Sequence, residues 1–286
     1  MDLHLAPVPP RPAPDGGRVF EGLSYALREG FRPLLLDLHV PPAGGGPAPV
    51  VVWIHGGAFL SGDRRHLPET LTPGSLFEAF TAAGIAVATI DYRLSGEAVF
   101  PAQLDDVRSA IAYLRYYADV LGIDTGRLGA SGESAGGALA ALAALTPQVG
   151  GGPGEASPPG IAAAVLWYPV TDLALRDATA VDSPEAKLLG GAPAELPEQA
   201  AAAGAVHQVT AAAPPFLLLH GTADDRLPPE HSERLHGRLL AAGVRSTYIP
   251  VPGAGHVFAG HDDMPGVVAA TVDFFVRELL GDRAGA

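Results

Sequence analysis

The chain has 286 residues, of which 48% are hydrophobic and 17% charged, a composition typical of a compact globular protein. Its formal net charge of −13 argues against nucleic acid or an anionic membrane as a partner. It has no cysteine, which excludes disulfides, thiol catalysis and cysteine-bound metals. We find no signal-peptide or membrane-spanning pattern, and therefore expect a cytoplasmic location.

The first part of the chain predicts a change from loose to ordered structure. Residues 1–17 contain five prolines and are expected to be a flexible lead-in to one domain over residues 18–286. Val19–Leu27 and Leu34–Val40 then predict two strands of a meander at the edge of a sheet.

Strands and helices alternate in the remainder of the chain. The predicted strands are Pro49–His55, Ile85–Ile90, Ile161–Tyr168, Pro215–His220 and Ser246–Val251. The predicted helices are 71–83, 101–121, 135–145, 231–242 and 265–280. This alternation indicates an α/β fold with a mostly parallel central sheet flanked by helices.

Two segments interrupt the alternation. Gln148–Gly160 is rich in Gly and Pro and predicts a loop. Asp172–Ala213 is longer and includes a predicted helix at Glu195–Ala205. Forty residues without a strand suggest a small cap-like insertion, at 172–213.

The segment Gly132–Gly137, Gly-Glu-Ser-Ala-Gly-Gly, lies between an apolar run and an alanine-rich helical stretch. At a sharp strand-to-helix turn, small residues on either side of Ser134 prevent collisions and leave the serine hydroxyl exposed. The amide of Ala135 opens the helix and faces the same space. On this segment alone, a catalytic serine and an ordinary glycine-rich turn are both open.

A serine nucleophile needs a base and a carboxylate that orients the base. Past one strand lie Asp224 and Asp225, and past the next lies His256, so both groups leave strands on the same rim as Ser134. We favour Asp224 as the carboxylate, with Asp225 as a solvated acid. His256 follows a glycine-rich turn and is the better base, whereas His261 is interpreted as a surface histidine.

Donors for a developing oxyanion are the third requirement. His55-Gly56-Gly57-Ala58-Phe59 follows the central strand, where glycines allow amides to approach a substrate oxygen. We therefore predict an oxyanion hole built from the amides of Gly56, Gly57 and Ala135.

Together these motifs resemble the α/β-hydrolase esterases of the hormone-sensitive-lipase and carboxylesterase-like type, and in particular the bacterial BD-FAE esterases. The resemblance covers about Phe20 to Leu280. It also includes the segments Asp91–Leu94 and Phe100–Ala102 with Asp106. It implies that Ser134 is the nucleophile, Asp224 the orienting acid by its spacing from the His-Gly pair, and His256 the base. It also implies the Gly56, Gly57 and Ala135 oxyanion hole.

Other residues have structural interpretations. Asp91, Arg93 and Asp106 predict buried ion pairs or loop anchors, and His55 and His220 are expected to hydrogen-bond neighbouring loops. Glu133 is expected to hold the elbow or shape the pocket. The residues that either line a substrate pocket or belong to the core are Ala58, Phe59, Tyr92, Trp167 and Tyr168. No metal-binding His spacing is present, so neither a metal nor a cofactor is expected.

The sequence leaves three alternative functions open. The first is hydrolysis of short- to medium-chain carboxylic esters through an acyl-enzyme, because Ala58 replaces a third glycine and the insertion is smaller than a two-helix lipase cap. The second is amide or formamide hydrolysis on the same triad. The third, less favoured, is a non-catalytic ligand-binding relative. The expected partner is a small-molecule ester, and the expected state is a monomer or homodimer.

Overall fold

The computed structural model describes residues 3–44, 46–146 and 160–281. Apart from Gly160, the loop predicted at Gln148–Gly160 lies outside the described residues. Within the described ranges the strands are β1 (Arg11–Pro12), β2 (Arg18–Ala26), β3 (Leu34–Val40), β4 (Ala48–Ile54), β5 (Ala86–Ile90), β6 (Ile123–Glu133), β7 (Ala163–Trp167), β8 (Phe216–Gly221) and β9 (Ser246–Val251). The α-helices there are α1 (Ser75–Ala82), α2 (Ala102–Tyr116), α3 (Ala118–Leu121), α4 (Ser134–Leu145), α5 (Pro184–Leu189), α6 (Pro197–Ala203), α7 (Glu230–Ala241) and α8 (Met264–Phe275).

All nine of these strands form one sheet, in the order β1-β2-β3-β5-β4-β6-β7-β8-β9. Strands β1, β2 and β3 pair antiparallel, as does β3 with β5. Strands β5, β4, β6, β7, β8 and β9 run parallel to one another. Because the carboxyl ends of parallel strands meet at one edge of a sheet, the segments that follow β4, β6, β8 and β9 gather there.

Strand β4 shows how the sheet is buried on both faces. Val50, Val52 and Ile54 pack on the face covered by α2, α4 and α7, whereas Val51 and Trp53 pack on the face covered by α1 and α8. This division follows the alternation of side chains along a strand. All five residues are fully buried, which explains the unbroken apolar run in the sequence. The predicted α/β fold with a mostly parallel, helix-flanked sheet is confirmed.

The N-terminal segment differs from the flexible lead-in that its prolines predict for residues 1–17. Leu3 forms a β-bridge with Leu27, and Arg11 of β1 pairs with Val19 of β2. The free edge of β2 offers unpaired backbone groups, and a short added strand satisfies some of them. The described part of this segment is therefore attached to the sheet.

The insertion at Asp172–Ala213 contains two short helices, α5 and α6, where the sequence predicts one at Glu195–Ala205. The α5 helix is held to the body of the protein, because Leu188 is buried in the core and its carbonyl accepts the Phe100 amide at 2.8 Å. Ser183 caps this helix by accepting the amide of the third residue after it at 3.0 Å. A helix of six residues is too short to produce a readable hydrophobic period.

Candidate active site

The turn between β6 and α4 places Ser134 in the left-handed region of backbone conformation, with φ of 52°. A β-carbon on Gly136 would lie 2.1 Å from the carbonyl oxygen of Ile54, and one on Gly132 would lie 2.6 Å from the carbonyl oxygen of Gly136. Only glycine fits these two positions. The close packing of the turn against β4 therefore requires both glycines and holds Ser134 at the carboxyl edge of the sheet.

Three side chains from separate loops form a continuous hydrogen-bonded series. The Nε2 atom of His256 lies 3.3 Å from Ser134 Oγ, and its Nδ1 atom lies 2.7 Å from Asp224 Oδ2. The first distance is long, as is usual before a substrate tightens the site. A serine, a histidine and a carboxylate in this order are the arrangement in which a hydroxyl is activated as a nucleophile.

The carboxylate of Asp224 is buried and held from several directions. Its Oδ1 atom accepts the amides of Arg226 at 3.0 Å and Leu227 at 2.9 Å, and His220 lies 3.4 Å from Oδ2. Burial raises the pKa of Asp224, but the hydrogen bonds with His220, His256 and the Leu227 amide outweigh it and hold the pKa well below its usual range. Asp224 is therefore ionised beside His256 at neutral pH.

Asp225 has a different environment, although it is the next residue. Its side chain is exposed at the rim of the pocket, and it forms no hydrogen bond or ion pair with the described residues. The two adjacent acids thus differ in burial. The structure brings Asp224, and not Asp225, to the imidazole of His256.

The loop after β4 corrects one predicted oxyanion donor. The amide of Gly56 donates to Glu133 Oε1 at 2.9 Å, so this N–H is already used and cannot serve a substrate oxygen. The amides of Gly57 and Ala58 have no acceptor among the described residues, and both residues line the pocket beside Ser134. Ala58, expected only as a pocket wall, therefore replaces Gly56 as the candidate donor.

The same loop is fixed by two buried rings. His55 Nδ1 lies 2.8 Å from the carbonyl oxygen of Gly56, and the hydroxyl of Tyr92 donates to the carbonyl oxygens of His55 at 3.0 Å and Gly56 at 3.3 Å. Burial lowers the pKa of His55 to about 4, so its ring is neutral and Nδ1 carries the donated hydrogen. His55 thus contacts its neighbouring loop, as the sequence predicts.

A pocket of about 910 Å³ opens in front of Ser134 and His256. Three of the predicted wall residues, Ala58, Phe59 and Glu133, line it. The insertion contributes further wall residues, Arg176, Pro184 and Glu185, and other polar residues at the rim are His66, Glu69 and Arg226. The sequence did not identify the exposed members of this set, because nothing in a solvent-facing polar side chain distinguishes the rim of a pocket from the rest of the surface.

Tyr92, Trp167 and Tyr168 were also predicted as possible wall residues, but none of the three lines the pocket. Tyr92 is fully buried under the oxyanion loop. Trp167 packs edge-on against Trp53 at 5.0 Å, with its Nε1 donating to a buried threonine. Tyr168 is fully buried and places its ring edge-on to His256 at 4.9 Å. These rings therefore belong to the core.

The acids and arginines near the start of α2 form ion pairs away from the reacting atoms. Asp106 is fully buried and accepts from Arg93 at 2.8 Å and from Arg28 at 2.9 Å. Asp91 accepts the Arg64 amide at 2.9 Å. The predicted anchoring roles of Asp91, Arg93 and Asp106 are confirmed by these contacts, because a buried carboxylate is stable only when it is paired.

Within residues 3–44, 46–146 and 160–281, no three His, Asp or Glu side chains are grouped closely enough to hold a metal ion. The helices in the same ranges include none that is long and apolar enough to cross a membrane.

An α/β-hydrolase fold with a strained serine at the turn after a central strand defines the class of this protein. Residues 36–239 match the model of the BD-FAE family, and the chain belongs to this family.

The curated relatives include two Mycobacterium tuberculosis proteins. Esterase LipC is 32% identical over 247 residues, which cover 83% of this chain and 60% of the relative. Esterase LipQ is 31% identical over 268 residues, which cover 90% of this chain and 62% of the relative. The chain thus spans about three fifths of the length of these relatives.

Solved structures that are similar to this chain include two esterases. A truncated carbohydrate esterase from gut microbiota superposes with a TM-score of 0.81 at 28% identity, covering 94% of this chain and 99% of that one. A thermophilic esterase from Thermogutta terrifontis gives a TM-score of 0.74 at 26% identity, covering 93% and 95%.

Proposed function

We propose that this protein is a serine carboxylic ester hydrolase that acts through an acyl-enzyme. The observation that carries this proposal is the series Ser134–His256–Asp224, with distances of 3.3 and 2.7 Å, beside the unpaired amides of Gly57 and Ala58. The esterase relatives support the same activity. A series of this kind without an adjoining oxyanion hole would have little catalytic power.

Each group has one role in the proposed reaction. Ser134 Oγ attacks the ester carbonyl while His256 Nε2 removes its proton, and Asp224 keeps the other ring nitrogen protonated and stabilises the imidazolium. His256 then gives that proton to the departing alcohol, which leaves the acyl group on Ser134. Water attacks this acyl-enzyme with the same base, so that the acid is released and the serine regains its proton.

The negative charge that develops on the carbonyl oxygen needs donors in place before the reaction. The amides of Gly57 and Ala58 come from the loop after β4, and the Ala135 amide is in the first turn of α4, where N–H groups have no partner within the helix. The dipole of α4 also favours negative charge at this end. Three amides aimed at one oxygen stabilise the tetrahedral transition state more than the substrate.

We further propose that the acyl group is short to medium in length. Ala58 lines the pocket beside Ser134, and its methyl group takes space that a glycine would leave free. The insertion contributes polar residues to the wall, Arg176 and Glu185, together with Pro184. A wall of this kind buries little of a long alkyl chain, so additional methylene groups beyond the pocket gain no binding energy.

The test uses a fluorophosphonate probe and turnover of p-nitrophenyl butyrate. Ser134→Ala should abolish labelling and lower kcat by about 10³-fold or more, because the nucleophile is lost while the fold is kept. Ser131→Ala is the matched control: its hydroxyl lies three residues earlier, in β6, donates to the Val165 carbonyl at 2.9 Å, and Ser131 does not line the pocket. Turnover that survives in Ser134→Ala would reject the proposed nucleophile, and turnover only of the butyryl p-nitroanilide would replace the ester by an amide.

A further inference from the structure

Glu133 is a carboxylate within the site that the proposed reaction does not use. It is the last residue of β6, directly before Ser134, and is only 2% exposed. Burial raises the pKa of Glu133, and the Gly56 amide, the nearby His66 ring, the Tyr168 hydroxyl and the His256 ring act in the opposite direction. A buried carboxyl beside the nucleophile costs stability, so its retention here requires a specific partner.

That partner is the backbone of the oxyanion loop. Glu133 Oε1 accepts the Gly56 amide at 2.9 Å, across 77 positions of sequence. The approach is so close that a β-carbon on Gly56 would lie 2.5 Å from the same oxygen. A side chain at this position would displace the Glu133 carboxylate, so glycine at 56 permits the hydrogen bond, although its own backbone conformation falls outside the left-handed region.

The two sides of Gly56 are held by different groups. Its N–H is bound by Glu133, whereas its carbonyl oxygen faces His55 Nδ1 at 2.8 Å and the Tyr92 hydroxyl at 3.3 Å. In a trans peptide the N–H of the next residue points opposite to that carbonyl. The Gly57 amide is thus directed away from His55 and Tyr92 and towards the pocket.

We propose that Glu133 is a positioning residue that fixes the oxyanion loop relative to the nucleophile by binding the Gly56 amide. This inference rests on the proposed esterase function. Because Glu133 and Ser134 are consecutive, the hydrogen bond ties the loop that carries Gly57 and Ala58 directly to the elbow that carries the attacking oxygen. Among the described residues Glu133 has no hydrogen bond with Ser134 Oγ or His256, so we place its effect on the reaction in its contact with Gly56.

The proposal predicts which kinetic constant changes. Donors to the oxyanion act mainly in the transition state, and a misplacement of about 1 Å costs about 10²-fold. Glu133→Ala should therefore lower kcat by about 10²-fold and leave KM within about threefold. Inhibition by a trifluoromethyl ketone, whose adduct with serine places an oxyanion in the same hole, should weaken by the same factor as kcat/KM.

Two conservative variants distinguish loss of the hydrogen bond to Gly56 from loss of side-chain volume. Glu133→Gln keeps an acceptor oxygen at the same reach and should recover at least about tenfold of the activity lost in Glu133→Ala. Glu133→Asp keeps the charge but is one methylene shorter, cannot reach Gly56, and should be as poor as Glu133→Ala. If Glu133→Ala does not fold, the relative kcat values of the Gln and Asp variants decide whether the hydrogen bond to Gly56 matters.

Asp263→Ala is the matched control. Asp263 also accepts a glycine amide at 2.9 Å, that of Gly266 at the start of α8, but it does not line the pocket. This control should lose thermal stability without any change in kcat. The proposal is overturned if Glu133→Ala stays within about threefold of native kcat, if its loss appears in KM, or if the Asp variant exceeds the Gln variant. Loss of labelling in Ser134→Ala tests the proposed esterase function separately.

Discussion

Asp224→Asn replaces one carboxylate oxygen by an amide NH₂ group and leaves the shape of the side chain unchanged. Oδ1 of Asp224 accepts two amides, from Arg226 at 3.0 Å and Leu227 at 2.9 Å. The asparagine oxygen must take this position, because the NH₂ group would face two donors there. The NH₂ group then occupies the position of Oδ2, 2.7 Å from His256 Nδ1.

This orientation favours the unproductive tautomer of His256. An NH₂ group at Oδ2 donates to Nδ1, so the ring proton moves to Nε2, the atom that must accept the proton of Ser134. In the productive orientation the asparagine oxygen faces His256, and the two backbone amides face the NH₂ group without an acceptor. Each unsatisfied amide costs about 1–3 kcal/mol, or about 2–6 kcal/mol for the two together. This cost converts to a loss in kcat of about 30-fold to 10⁴-fold.

The assay is initial-rate turnover of p-nitrophenyl butyrate, with active enzyme counted by the fluorophosphonate probe and folding checked by thermal unfolding. Asp225→Asn is the control, because that exposed side chain has no hydrogen bond or ion pair with the described residues, and its kcat should stay within about threefold. An Asp224→Asn enzyme that keeps more than about a tenth of kcat would refute the two-amide argument. A larger loss in Asp225→Asn would show that the neighbouring acid orients the base.

Two further predictions concern the base and the acyl group. His256→Ala should abolish turnover and His261→Ala should retain most of it, because of these two histidines it is His256 that contacts Ser134 Oγ, at 3.3 Å. In the native enzyme the acid limb of kcat/KM should lie within about pH 5–8, where histidine side chains change charge, because the pKa of Asp224 is held well below its usual range and that carboxyl stays ionised there. An acid limb confined to pH values below about 4 would assign the limb to a carboxyl instead. On p-nitrophenyl esters kcat/KM should rise from acetate by up to about 0.8 kcal/mol per buried methylene, peak by about hexanoate and then fall. A maximum at dodecanoate would contradict the proposed pocket.

The sequence alone determined the fold class and the succession of most strands and helices along the chain, because each is set by local pattern. The apolar run that becomes β4 can only be a strand buried on both faces, and the small residues around Ser134 mark the turn that follows β6. The candidates Asp224 and His256 were also identified from sequence, since each follows a strand whose carboxyl end must reach the same edge. These features leave a local signature in the sequence, even where the contacts that they make in the fold are distant.

Only the tertiary structure decided which backbone and side-chain groups are already bonded. The Gly56 amide was predicted to be an oxyanion donor, but Glu133, 77 positions away, uses it, and Ala58 takes its place as the candidate. Tyr92 was predicted as a possible wall residue but supports the oxyanion loop from within the core. A hydrogen bond between distant segments leaves no period or spacing in the sequence, because it depends on how the two strands are set side by side. The same reason explains why the pairing of Leu3 with Leu27 appeared only in the folded chain.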